Sequence, residues 1–400
     1  MRLKSFLLTI TALAVVSDAM LIPFYPQFFA ERFGVRDPRQ VGAYLAAICL
    51  TVMIALPLWA RIARRVPLLI LLLWTQLGAG LLCLLCVRTS SLAGFWLLSL
   101  GMFVFKGSYL LIYPRVMALS TPDEHTATVG TLSVIMHFGG ILGAVLGGMV
   151  LQSLNAGHVF VLMAAADAIQ IAICLYLLWR RPLAVRRMAA RVAPPAVPAA
   201  ASDDGARLRR VYLLGGLMLV FYFSACLVRS FFALHWERVS GVADSRLAAA
   251  VFALPALMAL AGLWHNRRRD RHGLPPLGSL PRMLLLGAAG LGLQALPGVG
   301  LLLAGRCLFG WAMFQLAVQL DVQLFRLGTP HSHAADYSRI NVFQSLGVLA
   351  SSFAAGGLVA GYGLASPFWV AGAGFVLTAL AYPVLVAVPR ERVATRGDLA

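Results

Sequence analysis

Lysine is almost missing from this sequence of 400 residues: Lys4 and Lys106 stand alone among 33 lysines and arginines. Arginine is the default cation, so a lysine in mid-segment hints at a point charge able to give up its proton. Charge of either sign is scarce. Charged residues make up 12% of the chain against 60% hydrophobic, with a mean hydropathy of +0.83. No soluble domain carries that much apolar surface, which leaves a polytopic, all-α membrane protein. Acidic residues number 15, for a formal net charge of +18. The excess cations sit in particular loops and not along an amphipathic face, so they set topology and do not signal nucleic acid. The six cysteines (Cys49, Cys83, Cys86, Cys174, Cys226, Cys307) all fall inside apolar stretches and imply no disulfide framework. Cys83 and Cys86 form a CxxC without His or Cys partners nearby, which sets a metal or redox role aside. There is no P-loop, which speaks against a self-contained ATP-driven pump, and no cofactor is expected.

What is present is oil divided by one wet stretch. Residues 180–210 read RRPLAVRRMAARVAPPAVPAAASDDGARLRR, rich in arginine, proline and alanine and without apolar periodicity, which suits a solvated linker. On either side the chain breaks into six apolar stretches of roughly 20 residues, enough to cross a bilayer. Spans are expected at about 5–29, 41–60, 67–87, 93–118, 127–152 and 157–179, then at about 211–236, 246–264, 281–296, 299–323, 338–362 and 366–388. The first mimics a cleaved signal peptide around Ser17-Asp18-Ala19, but its apolar character continues through Phe29. The expected division is a bundle over 1–180, a linker over 181–210, a second bundle over 211–390 and a tail over 391–400.

Alternate loops differ in charge. Arg2 and Lys4, the 2–3 loop with Arg61, Arg64 and Arg65, the linker, Arg267–Arg269 with Arg271, and the tail with Arg390, Arg392 and Arg396 fall on one side. The positive-inside rule puts that side, with both termini, in the cytoplasm of a bacterial-type inner membrane. The halves also echo each other. The first span ends FFAERFG at Phe28–Gly34 and the seventh ALHWERVSG at Ala233–Gly241, while spans five and eleven carry Gly147-Gly148 and Gly356-Gly357. Duplicated six-helix halves are a common plan for transporters.

Span five places Gly130, Gly139, Gly143, Gly147 and Gly148 in one register. It resembles the antiporter motif G-x8-G-x3-G-P-x2-G-G of the major facilitator superfamily, with Ala144 in place of the proline. Small residues at such spacing make a flat face on which a neighbouring helix packs closely. In span ten, Leu302, Arg306 and Gly310 resemble the family's L-x3-R-x3-G pattern, which usually belongs to span four; there Lys106 is the corresponding cation and Leu110 replaces the glycine. The 2–3 loop, Pro57-Leu58-Trp59-Ala60-Arg61-Ile62-Ala63-Arg64-Arg65, keeps the family's basic residues but has Ala60 for its aspartate and Ala63 for its second glycine. The resemblance covers nearly the whole chain. It implies two pseudo-symmetric six-helix bundles that rock about a central cavity, and the span-five motif implies export.

An ionisable group at mid-bilayer costs on the order of 2.5–3.5 kcal/mol, so each needs a partner, a wet cavity or a task. Candidates are Asp18, Lys106, His137, Asp167, Arg229 and Arg306. By the family resemblance spans one, four, seven and ten line the cavity, which brings Asp18, Lys106, Arg229 and Arg306 together. Helical spacing puts Ile22 and Tyr25 beside Asp18, Leu110 and Tyr113 beside Lys106, and Tyr222, Cys226 and Trp236 beside Arg229. Tyr25, Tyr113, Tyr222, Trp236 and Trp311 are the aromatic candidates for substrate contact. Asp18 reads either as a proton carrier or as one half of a fixed pair with Lys106. His137 and Asp167, on spans five and six, are assigned packed, hydrogen-bonded roles. His331 and His333 form an HxH in the 10–11 loop, and no metal site is assigned there.

The expected protein is a monomeric, proton-coupled secondary transporter exporting a small amphipathic metabolite, anionic or oxygen-rich, and is not an enzyme. The stretch DAMLIPFYPQFF from Asp18 is similar to bacterial siderophore exporters. Multidrug efflux, uptake of a ferric chelate or other nutrient, a transporter-like sensor and a membrane-embedded transferase remain alternatives.

Overall fold

The computed structural model describes residues 2–119, 125–180, 205–272, 278–327 and 333–385. Linker residues 181–204, the tail and His331 lie outside them, whereas 205–210 begin a helix; the burial of Gly130, His137 and His333 is not described either.

Among the described residues helix covers most of each expected stretch, as it must where no water is at hand to satisfy backbone N–H and C=O groups. Among the described residues nine helices are long and apolar enough to cross a membrane, and Leu280–Ala295 is a shorter apolar one. The lipid-facing surface is oily, with Leu97, Phe353 and Leu380 exposed. At the arginine-rich end Arg180 and Arg268 lie 4.8 and 5.6 Å over the rings of exposed Trp179 and Trp264, amphipathic pairs suited to a membrane interface.

The two halves repeat one unusual device. Span one is two helices, Arg2–Ala19 and Tyr25–Phe33, and span seven is likewise Gly205–Leu227 and Phe232–Ser240. Both outer pieces are 9 residues long, and both stop on a left-handed glycine, Gly34 at φ 69° and Gly241 at φ 70°. That conformation strains any residue bearing a Cβ, which is why both sequence echoes end in Gly. Pro23 lies within the first break and Pro26 supplies no N–H to the first turn of the outer piece. The second break, at 228–231, has no proline and forms around Arg229 and Ser230.

Spans two and eleven, and five and eight, join the halves. Several contacts between the halves, including one between the outer helices of spans one and seven, lie at the cation-poor end. A Cβ on Gly42 would come within 2.9 Å of the Gly356 backbone, Gln27 Nε2 donates to Glu237 Oε1 at 3.0 Å, and the Ser245 N–H donates to Gln152 Oε1 at 2.9 Å. These close that end of the molecule. The span-five glycines fold onto span one. A Cβ on Gly139 would touch Val15, one on Gly143 would press into Val16 and Ala19, and one on Gly147 would collide with the Met20 carbonyl. Gly148 meets Ala249 and Ser245 of span eight. Gly147→Val is therefore expected to cost about 1–3 kcal/mol, because rigid backbone has to move. Gly140→Ala, with open space around it inside a helix, should not lower the thermal unfolding temperature of the purified protein.

Candidate functional site

A cavity of about 230 Å³ lies between the halves, and three charged side chains reach it. Each stands where its helix loses regular geometry. Asp18 is in the last turn before the first break, Arg229 lies within the second, and Lys106 ends the helix Leu92–Lys106, which tightens into a 3-10 turn over Gly107–Leu111. Irregular backbone at membrane depth is tolerated only where protein covers it or water wets it, so a chamber and helix discontinuities belong together. Ile22, Tyr25, Cys49 and Leu110 line the chamber from the first half, and Cys226, Ser230 and Ser352 from the second.

Lys106 is nearly sealed, with 2% of its side chain exposed. Its Nζ lies 3.0 Å from Asp18 Oδ1 and 3.1 Å from Asp167 Oδ1, and donates to Ser17 Oγ at 3.2 Å. The two acids differ in setting: the Asp18 side chain is 20% exposed, toward the cavity, whereas Asp167 is fully buried. Asp167 also accepts from Gln170 Nε2 at 3.3 Å and from the Cys83 thiol at 3.8 Å. Across the chamber Arg229 has no carboxylate partner among the described residues; its Nη1 lies 4.0 Å from Cys226 Sγ. The first wall thus presents one acid and one lysine, with Asp167 buried behind them, and the second a single guanidinium.

Other candidates sit elsewhere. Arg306 is 3% exposed and does not line the cavity. Its guanidinium lies 4.1 Å over Phe232 and 5.0 Å over Phe252, and Nη2 donates to the Phe252 carbonyl at 2.9 Å, three residues before Pro255, which sits inside the helix of span eight. Regular helix surrounds it, so it fastens span ten to span eight. Trp236 is buried in the apolar core, Tyr222 packs edge-on against Phe221 at 5.4 Å, Trp311 meets His265 at 5.6 Å, and Tyr113 packs beside a second apolar cluster. Of the aromatic candidates only Tyr25 lines the chamber, 5.2 Å from Tyr44.

The sequence profile of the Major Facilitator Superfamily matches residues 7–280. The chain belongs to this superfamily. Solved facilitators share its fold. The crystal structure of an auto-inhibited POT family peptide transporter superposes with a TM-score of 0.74 at 15% identity, over 100% of this chain and 99% of that one. A D-xylose–proton symporter gives 0.71 at 14% identity, over 94% and 95%. The human organic anion transporter TETRAN gives 0.67 at 17% identity, over 95% and 98%. At such identities the likeness is one of fold. A search of curated proteins finds no match in sequence. Family and fold are those of multi-pass membrane transporters, built for small-molecule substrates.

In this facilitator the 2–3 loop arginines are all exposed, Arg61 in the last turn of the helix Pro38–Ile62 and Arg64 and Arg65 just beyond it. Sequence reasoning underrated Asp167. The signal was there: Asp167 and Gln170, one turn apart, share a face with Met163, Cys174 and Leu177, and every one of them is buried. A polar pair in the middle of an apolar stripe requires a partner from another helix, and Lys106 is that partner. His235, 3% exposed with Nε2 2.8 Å from the Gln294 carbonyl, was also passed over; it joins spans seven and nine away from the chamber.

Proposed function

We propose that this facilitator is a proton-coupled secondary transporter exporting a small amphipathic, anionic or oxygen-rich metabolite, siderophore-like in its chemistry, across a bacterial-type inner membrane. In this reading it works as a monomer with both termini in the cytoplasm. Residues 1–180 rock against 211–390, and 181–210 is the cytoplasmic linker. The observation that carries the reading is the opposition of charges: a carboxylate–lysine cluster open to the cavity on one half and, on the other, Arg229 with no carboxylate partner among the described residues. Asp18 can take a proton from the chamber and return it on the other side once the halves have rocked. Arg229, with the hydroxyls of Ser230 and Ser352 on the same wall, suits an acceptor-rich solute. The glycine contact of span five with the break of span one would let the helix bearing Asp18 follow the rocking movement.

The TETRAN structure is that of an organic anion transporter and another fold relative is a proton symporter, which supports both halves of the reading. Counterflow in proteoliposomes tests it, with labelled hydroxamate and catecholate chelators as probes. Vesicles with the facilitator and unlabelled chelator inside should transiently concentrate the label, and vesicles lacking the protein should not. No exchange of any probe, including a panel of lipophilic drugs, would leave a sensor in place of a transporter.

A further inference from the structure

Lys106 has one positive charge and two carboxylates within 3.1 Å, so the cluster does not balance as drawn. With both aspartates ionised it carries a net charge of −1 around a buried Lys106 and a fully buried Asp167, and a single bound proton removes that charge. The other groups against it cannot supply compensation. Ser17, Cys83 and Gln170 are neutral donors, Tyr109 beside it is a neutral phenol, and Arg229 belongs to the opposite half. The proton has one natural seat. Asp167 accepts from both Lys106 and Gln170 at Oδ1, and the Cys83 thiol, which also lies 3.1 Å from Met102 Sδ, is 3.8 Å from its Oδ2. That arrangement favours the anion. Asp18 has Lys106 alone, and it faces the chamber.

We propose that Asp167, on a span outside the chamber lining, is the permanent counter-ion of Lys106, and that its presence is what leaves Asp18 free to hold and release one proton. Asp167 is then a positioning residue for coupling. The inference rests on the proposed proton coupling and adds a residue to it. Its consequence is specific. Without the Asp167 charge, Asp18 becomes the sole partner of Lys106 and stays ionised, so Asp167→Asn removes the exchangeable proton although Asp18 is untouched.

Infrared spectroscopy of the purified full-length protein at neutral pH tests this without any substrate, since the C=O stretch of a protonated carboxyl is separate from carboxylate bands. Wild type should show one buried carboxylic acid whose band is lost in Asp18→Asn and equally lost in Asp167→Asn. Asp167→Glu should restore it. Lys106→Met, which strands both acids, should double it, and gives a second reading should Asp167→Asn fail to fold. A band that persists in Asp167→Asn, or a Lys106→Met band of unchanged intensity, overturns the proposal. These outcomes are independent of transport. If the bands behave as expected while no solute is exchanged, the charge assignment stands and the transporter reading falls; gradient-driven flux without the band does the reverse.

Discussion

Lys106→Met is expected to lower the stability of the purified facilitator by about 3–5 kcal/mol, the scale on which removing one partner of a buried ion pair is felt. The loss comes from what remains. Asp18 and Asp167 would face one gap that a single cation now fills, with only uncharged donors nearby. The two acids must then both take up protons, and without their shared cation the contact between spans one, four and six loosens. Neutralising one acid as well should recover part of the loss, so the double variant Lys106→Met with Asp167→Asn is expected to unfold above Lys106→Met alone. Thermal unfolding in detergent measures both. If Lys106→Met matched wild type, the three groups would not be energetically coupled, and the geometry around Nζ would carry no function.

Arg229→Gln should act on the solute instead. A charge-assisted hydrogen bond is worth about 1.5–3 kcal/mol, which corresponds to roughly a 10- to 100-fold weaker apparent affinity for an anionic probe. Arg229 is outside the apolar cores and has no carboxylate partner among the described residues, so its removal strands no opposite charge. Unfolding should scarcely change. Arg306→Gln should do the opposite: it removes the group stacked on Phe232 and Phe252 and frees the Phe252 carbonyl, lowering stability with little effect on affinity. Concentration dependence of counterflow, beside unfolding of the same samples, separates the two. An Arg229→Gln variant with wild-type affinity would remove the guanidinium from the solute site.

The helices were legible because bilayer length and apolar runs leave few alternatives, and the family resemblance supplied their arrangement. Asp18, Lys106 and Arg229 could be placed at a common chamber for the same reason, since spans one, four and seven carry them to its wall. Arg306 shows the limit. It sits on the tenth span and at motif spacing, yet whether it turns toward the chamber or toward Phe252 depends on packing against Pro255 and span eight, and no single-helix pattern encodes that. Asp167 fails in the other direction. Its span packs against span three and away from the chamber, and only the length of Lys106, reaching past the end of its own α-helix, brings the charges together. The discontinuity at Gly107–Leu111 was also hidden, because Leu110 stands at the motif's glycine position and a 3-10 turn has no sequence signature of its own. The repeated outer helices were half visible: their glycine stops are in the sequence echo, while the proline-free break at Arg229 is not.

All of this depends on a chamber-facing carboxylate that links proton movement to solute movement. The most direct measurement is accumulation of a labelled chelator in proteoliposomes under an imposed pH gradient, set beside counterflow without one, for wild type and Asp18→Asn. Wild type should concentrate the probe when the gradient is present, and Asp18→Asn should still exchange it but no longer concentrate it. Full gradient-driven accumulation by Asp18→Asn would contradict the account, because the proton would then be passing through some other group.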